Sequence, residues 1–176
     1  MIATRIASVL GRLRTRAARV SDKLADNLGF LGPTLARVTV GLVFIGTGWG
    51  KLHSIPEVTS FFADLGIPAP GFNARLTAAT ELCGGLLVLL GLGARLASLP
   101  LAFTMVIAIL TAKRASIDGI TTLVGFEEWS YLVLFIWIAL AGAGPLSLDG
   151  LIGRMRGRIG RADGALRGPL LRPQQR

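Results

Sequence analysis

Glu81 stands well inside an apolar stretch of the sequence, about nine residues from where that stretch begins near Phe72. On a helix that is about 13 Å of depth. An ionisable group so deep in a hydrocarbon layer is costly, and it marks a place where a ligand is held or a proton is moved. The structural alternative is an ion pair, or a protonated carboxyl hydrogen-bonded between helices. Two cations on the preceding apolar stretch are candidate partners. Arg37, Gly41, Phe44, Gly48 and Lys51 are spaced four, three, four and three, so they share one helical face. Thr77, Glu81, Gly84, Gly85 and Val88 share another, and glycines on both faces allow the backbones to approach closely. Side chains lean toward the N-terminus of their own helix. On antiparallel helices Lys51 and Glu81 therefore lean toward each other, while Arg37 leans toward the basic end and can snorkel there. Lys51 is the nearer partner and Arg37 the second choice.

The candidate intramembrane polar site is thus Glu81, Lys51 and Arg37, with Thr77, Gly48, Gly84, Gly85 and His53 around a ligand. His53 is placed to relay protons to Lys51 and Glu81. Its plainer reading is an interfacial side chain, and Glu127 and Glu128 read as the acidic opening of a helix. Thr104, Ala108 and Thr111 read as an interhelical packing stripe. The single cysteine, Cys83, excludes an internal dithiol cycle, and one Cys with one distant His is not a metal site.

Four apolar stretches must position these residues, over about 33–52, 72–92, 95–112 and 129–145. Each is near the roughly 20 residues a helix needs to cross a bilayer. None carries the charged outer face that a soluble bundle would need. The expected fold is all-α, an integral membrane four-helix bundle over residues 33–150, with basic amphipathic helices at both termini. Residues 1–32 form an N-terminal interfacial helix, because Ile2, Ile6, Val9, Leu13, Ala17, Val20, Leu24 and Leu28 make a stripe that most of the Arg residues avoid. Residues 151–176 form a basic cytoplasmic tail. It opens with Leu151, Ile152, Met155 and Ile159 at helical spacing behind Ser147 or Asp149 as N-cap, and its last ten residues are expected to be disordered.

The 176 residues are 52% hydrophobic and 16% charged, with a net charge of +9. A charge of that size can indicate nucleic acid. Here the arginines gather at the two ends with no aromatic residue interleaved, a pattern that suits anionic lipid and excludes nucleic acid as the partner. With both termini inside, fourteen Lys and Arg lie on the inner side and four on the outer, which satisfies the positive-inside rule. Trp49 and Trp129 then meet the same outer interface. The N-terminus does not read as a cleaved signal, since its first strongly apolar run begins near Val38 behind seven basic residues.

The order ARVTVGLVFIGTGWGKL, a loop, ELCGGLLVLLGLGARLAS, a third helix with Met105, and PLSLD after the fourth resembles the DoxX family over about residues 33–150. The family's Arg and Gly-x-x-Lys-Leu pattern falls on Arg37, Gly48, Lys51 and Leu52. Its Glu-x-x-Gly-Gly pattern falls on Glu81, Gly84 and Gly85, and a further Arg on Arg95. The resemblance implies a four-helix protein of the bacterial inner membrane, a subunit or accessory of a quinone-linked redox or oxidative-stress system. It implies no covalently bound cofactor, with quinone as the candidate ligand, and no flavin, haem or iron–sulfur pattern is present. The expected partners are the bilayer with its anionic lipids and a redox subunit, with a homo-oligomer left open. The reading from another class is a non-enzymatic membrane module, either a small-solute carrier or a scaffold that docks proteins through its basic arms.

Overall fold

A computed structural model describes residues 14, 19 and 28–167, with side chains described as far as residue 157. Among the described residues the protein is all-helical. Its helices are α1 (Leu31–His53), α2 (Ile55–Asp64), α3 (Pro70–Leu90), α4 (Ala94–Thr111), α5 (Ile120–Gly125), α6 (Glu127–Ala141) and α7 (Leu148–Arg167), with a 3-10 turn at Arg114–Ser116. The expected interfacial helix over residues 2–28 and the expected disorder at the C-terminal end fall almost wholly outside the described residues.

Helix ends follow from local chemistry. α3 opens with Pro70, whose missing N–H is one the first turn leaves unpaired anyway. It closes two residues earlier than the apolar run suggests because Gly91 turns left-handed at φ 66°, with Leu92 N–H donating to Leu87 O at 3.0 Å. α6 ends at Ala141, short of Pro145, because Gly142 leaves the helix at φ 87°. The segment expected as a loop between the first two apolar stretches holds a helix. α2 starts at Ile55, with Pro56 and Glu57 in its first turn, and Val58, Phe61 and Phe62 fall three and four apart. α5 is a single short turn ahead of α6.

α1 packs most extensively on α3, and α4 on α6. The core between these pairs holds Val40, Phe44, Val88, Leu101, Met105, Phe135 and Ile138. Phe44 sits edge-on to Phe135 and Tyr131, with ring centroids 4.8 and 5.4 Å apart, a favoured geometry for ring quadrupoles. Large apolar side chains also cover the outside, among them Leu42, Leu96, Phe103 and Leu140. A protein bathed in water rarely leaves so much apolar surface open. α1 and α4 are each long and apolar enough to cross a membrane. α3 is long enough but carries Asn73, Arg75 and Glu81, and α6, at 15 residues, spans about 22 Å.

At the end of the bundle where α1 begins, the segment after α6 is clasped to the turn between α3 and α4. Asp149 N–H donates to Gly91 O and Gly93 N–H donates to the Asp149 carboxylate, both at 3.0 Å. Arg95 reaches Ala141 O at 3.3 Å. Ser147, through its hydroxyl, accepts the Gly150 N–H at 3.0 Å and so caps α7.

Candidate functional site

Glu81 is 2% exposed, eleven residues and about 16 Å into α3, close to the helix midpoint. Both of its carboxylate oxygens accept from Lys51 Nζ. The pair is asymmetric: the Lys51 side chain is 31% exposed and that of Glu81 is 3% exposed. An ammonium has three donors, so with two on Glu81 one N–H remains on the open side of the pair.

Glycines bring the two helices close enough for this contact. A Cβ on Gly48 would run into the backbone of Leu82 and lie 2.9 Å from Ala78 O. One on Gly85 would lie 2.8 Å from Ile45 N, and one on Gly41 2.9 Å from Leu89 Cα. α1 and α3 are therefore in backbone contact along this seam, and Lys51 leaves α1 one turn beyond the Gly48 crossing. Gly84 faces elsewhere, against Leu101 of α4. Thr77 is half-buried one turn before Glu81 and makes no side-chain hydrogen bond among the described residues.

His53 and Arg37 are not brought to Glu81. His53 is exposed, with Nδ1 2.9 Å from Trp49 O and its ring 4.5 Å from the Trp49 ring. Arg37 is buried at the other end of α1, where Nη2 donates to Leu146 O at 2.6 Å. Sequence reasoning gave Arg37 no partner there, because a backbone carbonyl 109 residues away has no side-chain signature. A second ion pair was also missed. Lys113 meets Glu128 at 3.3 Å and lies 5.5 Å from the centre of the Phe126 ring, so Glu128 does more than open α6. Among the described residues no group of acidic, His or Cys side chains is placed to hold a metal ion.

A buried carboxylate beside a half-open ammonium can hold and pass a proton, or bind a polar group that arrives from the membrane. Comparisons with known proteins bear on which. The DoxX family model matches residues 32–114. A Bacillus subtilis protein named "Putative oxidoreductase CatD" is 34% identical over 133 residues, which cover 73% of this chain and 94% of the relative. "Inner membrane protein YqjF" of Escherichia coli is 29% identical over 125 residues, covering 70% of this chain and 94% of the relative. An "Uncharacterized membrane protein" of Mycobacterium tuberculosis is 36% identical over 124 residues, covering 64% and 76%. No solved structure matches the chain.

Proposed function

This chain belongs to the DoxX family of membrane proteins, and from that premise we propose that it serves a quinone-linked redox system, with Lys51 and Glu81 as its ligand site. The observation that carries this reading is the buried Glu81 carboxylate held by a lysine that keeps one side open. The free Lys51 N–H donates to a quinone carbonyl oxygen entering from the lipid. Glu81 holds Lys51 in position and, after taking up a proton from water, returns it to Lys51 to replace the one passed to the quinone oxygen. Reduction of a quinone to its quinol takes two electrons and two protons. The site handles the protons; the electrons come from a partner redox subunit. A relative that carries oxidoreductase in its name supports the same direction.

The test is the lipid extract of detergent-purified protein, assayed by mass spectrometry for ubiquinone and menaquinone. Quinone is expected to co-purify with the native protein and to fall at least about fivefold in Glu81→Gln, the scale of losing one charge-assisted contact. No enrichment over an unrelated membrane protein purified in the same way would sink the reading.

In the membrane, α1, α3, α4 and α6 form the four crossings, in a bacterial inner membrane with both termini cytoplasmic. The fourteen-to-four excess of Lys and Arg supports this orientation, and relatives named as inner membrane proteins support the choice of membrane. A reporter that works only in the cytoplasm, fused after Gln175, is expected to be active. A fusion active only in the periplasm would invert the topology or remove a span.

A further inference from the structure

Arg37 is 4% exposed, and its one described hydrogen bond, to Leu146 O, uses a single N–H. Nε and Nη1 are buried with no hydrogen-bond partner. Among the described residues no carboxylate lies within ion-pair distance of it. A buried cation is ordinarily paired, since leaving water without a partner is strongly unfavourable. Its position is also fixed by the fold: a side chain on Gly91 would collide with Arg37 Nη1, and Gly91 has a positive φ. The guanidinium is thus held against a turn that has no room for another residue type.

It lines a cleft of about 420 Å³ between the end of α3 and the start of α7. Arg154 of α7 supplies a second cation, and Leu89, Leu90, Leu148 and Leu151 supply most of the remaining wall. No acidic residue lines it. Leu90 is 45% exposed and Leu151 49% exposed, so the apolar part of the cleft opens directly onto the outer surface. Two arginines with no countercharge call for an anion, and guanidinium groups suit phosphate oxygens in particular. The open leucines select among phosphates: a free ion gains nothing from them, whereas an acyl chain does.

We propose that this cleft seats the headgroup of an anionic glycerophospholipid, with Arg37 and Arg154 on its phosphate and the leucines against the first methylenes of its chains. The assignment is independent of the quinone reading, since Lys51 and Glu81 take no part. It differs from general attraction of the basic arms to anionic lipid by naming one place and one stoichiometric lipid. In the N-in orientation the lipid belongs to the cytoplasmic leaflet, where juxtamembrane basic residues meet anionic headgroups.

The full-length protein in neutral detergent is titrated by native mass spectrometry with phosphatidylglycerol, phosphatidylcholine and inorganic phosphate. The variants are Arg154→Gln and Arg156→Gln, the second removing the same charge from an exposed position outside the cleft. The first phosphatidylglycerol is expected to bind about tenfold more tightly than phosphatidylcholine, whose phosphate carries its own cation; Arg154→Gln should remove most of that preference and Arg156→Gln should leave it. Arg37→Lys, which keeps the charge and loses the planar fork, should also weaken the first site, and if it fails to fold the Arg154 comparison stands alone. Equal binding of the two lipids, or equal losses in the Arg154 and Arg156 variants, would mean a diffuse basic surface and overturn the proposal. Displacement of the lipid by inorganic phosphate at matched concentration would overturn it in favour of a soluble-anion site.

Discussion

Lys51→Gln is expected to destabilise the protein by about 3 kcal/mol, near the lower end of what breaking a buried ion pair costs, and Glu81→Gln by about 1 kcal/mol, nearer the range of exposed pairs. The inequality follows from unequal burial. Without Lys51, the Glu81 carboxylate is left 2% exposed with no cation to face, and the short side chain cannot reach water. Without Glu81, the Lys51 ammonium is already partly open and its four-carbon stem can carry it outward. The double variant should recover most of the Lys51→Gln loss, because it strands neither charge. Melting temperature and denaturant midpoint of detergent-solubilised protein read out all three. Additive losses in the double variant would mean that the two groups do not pair in solution. The small cost expected of Glu81→Gln matters for function as well: a large fall in bound quinone with nearly unchanged melting would be a loss of ligand contact, not of fold.

The fold was legible where the signal is long and local. Runs of about 20 apolar residues announce their helices, and their ends move by only a few residues, set by Gly91 and Gly142, each at a positive φ. The Lys51–Glu81 contact was legible because it depends only on helical spacing and on the direction in which side chains lean. α2 was hidden by its proline. Pro56 punctuates a loop and opens a helix with equal ease, and only Glu57 and the Val58, Phe61, Phe62 spacing distinguish the two. Arg37 was beyond reach for a different reason. Its partner is the carbonyl of Leu146, and the sequence holds no code for which backbone oxygen a folded arginine will meet. The same holds for the clasp of Asp149 on Gly91 and Gly93, which ties the start of α7 to the turn between α3 and α4 through main-chain groups of that turn 56 residues or more away.

Three alternating glycines in the segment GTGWG separate backbone contact from composition. Gly46 and Gly50 have nothing within 4 Å of where a Cβ would stand, whereas a Cβ on Gly48 would strike the α3 backbone at Leu82 and Ala78. Backbone cannot turn aside as a flexible side chain can, so the helices themselves must part. Gly48→Ala is therefore expected to cost about 2 kcal/mol, the overpacking penalty less what alanine returns in helix propensity. Gly46→Ala and Gly50→Ala, which gain the propensity and meet nothing, should be neutral or slightly stabilising. The loss at Gly48 should also reach the site. Lys51 leaves α1 three residues later, so parting the helices draws its ammonium away from a carboxylate fixed on α3. The coupling between Lys51 and Glu81, measured by the same double-variant cycle in a Gly48→Ala background, should shrink toward zero, while in Gly46→Ala it keeps its native size. Equal effects from all three alanines would show that α1 and α3 do not cross at Gly48, and with that the close approach by which α1 delivers Lys51 to Glu81 would be lost.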